Sequence, residues 1–136
     1  MPRPLPDPDE TVAKFALELA KTAVGHGWIV GRTAHDGSDR AFSLHKDASR
    51  IDFVAKLSQS EQGFWGLQDS RASEMRAGNW HLVLLTAATR GYVIRTSQLE
   101  SVLSKASRVT GGFRINERNL RHIPYSTSID AIWKRL

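Results

Sequence analysis

The chain has 136 residues, 40% hydrophobic and 24% charged, which fits one globular domain and excludes a disordered tract. It contains no cysteine, so disulfides, thiolate nucleophiles and cysteine-held zinc are excluded. The formal charge of +5 is uneven, with 8 Lys and Arg against 10 Asp and Glu in residues 1–69, and 11 against 4 in residues 70–136.

Prolines at positions 2, 4, 6 and 8 make residues 1–8 an extended arm ahead of a single domain spanning 9–136. A helix opens there. Asp7 is placed to cap it, Pro8 suits the first helical position, and Glu10 completes a D-x-x-E capping box. Val12, Phe15, Ala16, Leu19 and Ala23 recur at helical spacing, and Gly25 and Gly27 end the run.

Strand signals follow. Trp28 to Arg32 is short and closes in the turn-rich stretch His35-Asp36-Gly37-Ser38-Asp39. Arg40 to Lys46 and Ile51 to Leu57 alternate, with Ile51, Phe53, Ala55 and Leu57 on one side and Asp52, Val54 and Lys56 on the other. Gly63 to Gln68 is a further strand, and Ser70 to Ala77 a two-turn helix ending at Gly78. Trp80 to Thr86 is almost wholly apolar, as in a strand covered on both faces.

Arg90-Gly91 turns the chain into Tyr92 to Arg95, and a helix opens at Ser97 with Glu100 as its capping-box partner. Gly111-Gly112 leads into Phe113 to Ile115, Asn116 caps a turn through Leu120, and Ser128 to Leu136 is a last helix. The expected fold class is α/β (α+β): a central mixed sheet in the order α-β-β-β-α-β, then an extra strand and C-terminal helices. No apolar run approaches the roughly 20 residues of a membrane helix. Met1-Pro2-Arg3-Pro4 lacks the apolar run of a signal peptide, which makes a cytoplasmic location the expectation.

The element order, with Ile51-Asp52-Phe53-Val54-Ala55-Lys56 followed by Gly63-Phe64-Trp65-Gly66, resembles the core of the PD-(D/E)XK, or restriction-endonuclease-like, nuclease superfamily. That resemblance implies two carboxylates holding a divalent metal such as Mg²⁺, and a lysine helping to activate water. In the family the second carboxylate and the lysine stand at i and i+2 of one strand, on one face. Lys56 suits the lysine, but the residue two before it is Val54, which cannot bind a metal. Asp52 is the catalytic carboxylate only if the metal is displaced, with Asp36 or Asp39 as the other ligand. Set against this, Asp52 and Lys56 also read as a surface salt pair, and an Asp- and Gly-rich turn needs no catalytic account. The site reads as degenerate, and a cofactor is not expected unless the chain is a nuclease.

Five histidines, among them His35 and His45 near Asp36 and Asp39, fall into no metal-binding spacing and read as solvated loop residues. Trp28, Trp65, Trp80 and Trp133 read chiefly as core. Nine of the eleven cations after residue 69 are arginine, whose planar fork suits phosphate. Arg90, Arg95, Arg108, Arg114, Arg118 and Arg121 are therefore the expected nucleic-acid-binding residues, while Arg71, Arg76, Lys134 and Arg135 read as plain solvated helix faces. A helix-turn-helix over 97–121 is opposed by the strand and double glycine inside it, and a double-stranded-RNA domain by the short helix 70–77.

Three functions stand at this point. The first is a nucleic-acid- or polyanion-binding domain without catalysis. The second is a small protein-binding module, such as an inhibitor, immunity protein or assembly subunit, with an acidic partner; self-association as a homodimer is compatible with either. The third is a metal-dependent nuclease with a displaced carboxylate.

Overall fold

The computed structural model describes residues 8–32, 41–58 and 64–136. α1 (Pro8–Gly25) forms on the expected stripe: Val12, Phe15, Leu19 and Ala23 are buried along one side. Its Asp7 cap and the proline arm lie outside the described residues. The helix ends as Gly27 takes φ +82°, a conformation costly to a residue with a Cβ, and Trp28 N–H closes onto the Ala23 carbonyl at 2.8 Å.

The chain continues through β1 (Ile29–Arg32), β2 (Ala41–Lys46), β3 (Ser49–Leu57), β4 (Phe64–Gln68) and α2 (Asp69–Gly78). It goes on to β5 (His81–Ala87), β6 (Arg90–Ile94) and α3 (Thr96–Lys105). The hairpin β7 (Ser107–Val109) and β8 (Gly112–Asn116) is followed by a 3-10 turn at Glu117–Leu120, β9 (Tyr125–Ser126) and α4 (Ile129–Arg135).

These strands form two sheets: six strands ordered β1-β2-β3-β5-β6-β9, and three ordered β4-β8-β7. In the larger sheet β3 and β5 run parallel, Phe53 opposite His81 and Leu57 opposite Leu85, and the other pairs are antiparallel. A parallel pair needs a crossover, which β4 and α2 supply.

Strand alternation divides the core in two. Phe42, Leu44, Phe53, Ala55, Leu57, Val83, Leu85 and Val93 face α1 and Ile132 of α4. Ala41, Val54, Leu82, Leu84 and Ile94 face the other way, onto Ala72 and Met75 of α2, Leu99, Val102 and Leu103 of α3, and Trp65, Leu67 and Ile115 of the small sheet. The central sheet is thus covered on both sides, which explains the unbroken apolar run in β5. One polar link ties the sheets together. The fully buried Trp65 donates its indole N–H to the Leu85 carbonyl at 3.1 Å, an oxygen that also accepts from Ser58 N–H at 2.9 Å.

Several boundaries differ from expectation. α3 begins one residue early, and it is Gln98, not Glu100, whose side chain accepts from the N-cap backbone, Arg95 N–H, at 3.1 Å. Glu100 instead pairs with Arg76 of α2. β7 and β9 carry no sequence signal: Ser107-Arg108-Val109 is exposed throughout and β9 has two residues, so pairing partners create both. Trp65 and Trp80 are core residues as expected, whereas Trp28 and Trp133 are only half-buried and pack edge to face at 6.1 Å.

Replacing Trp65 by Phe keeps most of the volume but deletes the donor to Leu85. The expected loss is about 2 kcal/mol, combining a buried hydrogen bond with a small void, and a urea unfolding midpoint measures it.

Candidate nucleic-acid interface

Around Lys56, the nuclease-like pattern is closed by packing. Val54 is 3% exposed, and its cross-strand partner on β2 is Ala41, at 0%. Opposed residues of an antiparallel pair have Cβ atoms about 5 Å apart on one face, so both positions nearest a metal beside Lys56 hold hydrocarbon. Asp52, one step further along that face, is engaged elsewhere. Its Oδ1 accepts from the buried Ser43 hydroxyl at 2.6 Å and from Arg50 Nε at 2.9 Å, and its Oδ2 lies 3.2 Å from that Nε. Arg50 thus forms an ion pair with Asp52 within this strand. Among the described residues no three His, Asp or Glu gather in a metal-holding group, and Asp36 and Asp39 lie outside them. The donor set around Val54 does not fit a divalent ion.

The six arginines divide among several places. Arg108 is fixed: its guanidinium binds both Asp69 oxygens, at 2.8 and 3.2 Å, and lies 4.3 Å over the Phe113 ring. That hydrogen-bonded guanidinium holds the Asp69 carboxyl below its ordinary pKa. Arg90 is exposed at the start of β6, and Arg121 is exposed just beyond the 3-10 turn. Arg114 and Arg118 line one groove with Ser107, Val109, Asn116 and Glu117.

Arg95 joins residues that the sequence placed on a plain helix face. With Lys134 and Arg135 of α4, and with Val93, Gln98, His122 and Pro124, it lines a groove of about 400 Å³ that contains no carboxylate among the described residues. Its Nε donates to the Arg135 carbonyl at 3.0 Å, fixing the start of α3 against the end of α4. Residues 40 positions apart meet here, and no local spacing announces such a cluster.

Arg95 also borders a second groove, of about 620 Å³, with Ile51, Asn79, His81, Thr96, Ser97 and Leu136. His81 Nδ1 accepts from Thr96 N–H at 3.0 Å, so the ring is oriented by the first turn of α3. Burial, and secondarily the Arg95 charge, lower the His81 pKa below 6.5. The unfolded chain then binds a proton that the folded chain resists. This contribution to stability is present above the unfolded pKa and is lost as pH falls through the folded one. Unfolding free energy is expected to drop between about pH 7 and pH 5, and His81→Asn, which keeps an acceptor near Nδ1, is expected to flatten that slope in urea titrations.

The architecture has a solved counterpart. The chain matches a Holliday junction resolvase from the archaeal hyperthermophile Archaeoglobus fulgidus at a TM-score of 0.53 and 10% identity, over 91% of this chain and 96% of that one. No family model and no curated protein matches the chain. At that identity the likeness concerns the fold alone. No helix among the described residues is long and apolar enough to cross a membrane. The chain thus shares a mixed α/β fold with that resolvase, and Val54 stands two positions before Lys56.

Proposed function

We propose that this chain is a nucleic-acid-binding domain that keeps the nuclease-like scaffold without metal-dependent cleavage. The observation that carries the reading is the groove of Arg95, Lys134 and Arg135, assembled from separate elements and lined by no carboxylate. Three cations with no acid among the described lining residues form a favourable site for a phosphate backbone, because each neutralised phosphate releases condensed counterions. Arg95 is pre-positioned by its bond to the Arg135 carbonyl, which lowers the entropy lost on binding. The likeness to a resolvase supports nucleic acid over other polyanions.

The non-catalytic part rests on Val54 and Ala41. Installing a metal there means burying carboxylates in an apolar layer, at a cost of several kcal/mol per uncompensated charge. The expected outcome with labelled duplex and single strand in Mg²⁺ or Mn²⁺ is no cleavage. Accumulation of product that disappears in Lys56→Ala would overturn this half of the proposal.

Binding is tested by titrating labelled DNA and RNA at several salt concentrations. Affinity is expected to fall steeply with salt, and Arg95→Ala is expected to weaken binding about five- to ten-fold and to reduce the log–log salt slope by about one. Absence of binding to both polymers at low salt would sink the reading.

A further inference from the structure

α2 and α3 cover one side of the three-stranded sheet, where Trp65, Leu67 and Ile115 are buried. The opposite side carries Phe64, Gly66, Arg114, Asn116 and Ser107, since residues alternate along each strand. Arg114 stands opposite Gly66, diagonally beside Phe64. With only hydrogen at position 66, its guanidinium reaches across β4 and lies 4.1 Å from the Phe64 ring centre. This places the guanidinium at cation–π distance over one face of the Phe64 ring. Arg114 is exposed, so its other face is open to solvent.

Arg118, at the turn leaving β8, lines the same groove of about 480 Å³. Among the described residues neither Arg114 nor Arg118 has an ion-pair partner. One carboxylate, Glu117, shares the groove, which leaves a net charge of +1. That volume lies within the roughly 300–1,000 Å³ of small-ligand sites, so it has room for a nucleotide.

We infer that this face is a stacking platform for an unpaired base: Phe64, Arg114 and the base form one stack, Arg118 meets the adjoining phosphate, and the ligand is single-stranded nucleic acid. The inference rests on the nucleic-acid reading above and narrows it to the state of the strand. A guanidinium in cation–π contact with a ring forms with it an exposed π-surface on the sheet. It therefore fits a base face, which only an unstacked nucleotide offers, and not the base edges exposed in a duplex groove. The exchange is tolerant of base identity, because every base has a π-face.

The test uses the full chain and fluorescence anisotropy with three labelled probes: an oligothymidine strand, a blunt duplex of equal length, and that duplex with a single-stranded tail. The strand and the tailed duplex are expected to bind about ten-fold more tightly than the blunt duplex. Arg114→Lys keeps the charge but loses the plane. It is expected to lower strand affinity about five- to ten-fold while blunt-duplex affinity stays unchanged, and Phe64→Leu is expected to behave the same way. Thermal melting checks both variants, and if Phe64→Leu unfolds, the exposed Arg114→Lys carries the test. Equal affinity of the unaltered protein for strand and blunt duplex, or equal losses on both probes in Arg114→Lys, would overturn the platform and leave the nucleic-acid reading standing. No binding of any probe would overturn both.

Discussion

The parallel pair β3–β5 runs through the middle of the molecule with apolar layers on both sides, and this double burial governs where charge can go. Phe53, Ala55, Val83 and Leu85 meet α1 on one face, while Val54, Leu82 and Leu84 meet the small sheet and α2 on the other. Each buried aliphatic side chain contributes about 1.5–3 kcal/mol, whereas a charge in the same place must be paired or neutralised. Val54 and Ala41 therefore belong to the core as fully as Leu82 does, and the polar chemistry of β3 is displaced to its ends. Asp52 sits at one end, compensated by Ser43 and Arg50. Ionisable groups otherwise gather at the rims, where helix ends and turns converge.

Seen from that constraint, much of the fold was legible in the residues. The helical stripe from Val12 to Ala23, the alternation in Ile51 to Leu57 and the apolar run after Trp80 each report a local period, and each became the expected element. The broken carboxylate–lysine pattern at Val54 was equally legible, because i and i+2 along a strand share a face whatever the tertiary context. What the sequence hid is what pairing creates. Ser107-Arg108-Val109 has no inward face and becomes a strand only because β8 lies beside it. Likewise the link between the two sheets, Trp65 donating to the Leu85 carbonyl, joins residues 20 positions apart, and no spacing encodes it.

The arginines were legible as a composition and not as a surface. Six residues of one type proved to be in different physical situations. Arg108 is saturated by Asp69 and stacked on Phe113, so its role is to fasten the β7–β8 hairpin to the start of α2. Arg95 is oriented by the end of α4, and its groove gained Lys134 and Arg135, which looked like an ordinary helix face in sequence. Arg114 lies over the Phe64 ring and, among the described residues, has no ion-pair partner. Charge counting treats these as equal; geometry does not.

The double-sided sheet holds peripheral side chains in place, and the face of β3 that carries Val54 contributes to that support. Val54 and Ala41 are apolar groups packed on apolar neighbours, so the layer beneath β4 is free of the desolvation cost that a carboxylate pair imposes. A firmer layer there supports Trp65, and Trp65 in turn holds the strand that carries Phe64. The apolar layer at Val54 and Ala41 and the aromatic–guanidinium pair on the far side of β4 are then linked by one packing argument: a core free of buried charge supports the surface on which the exposed charge is displayed.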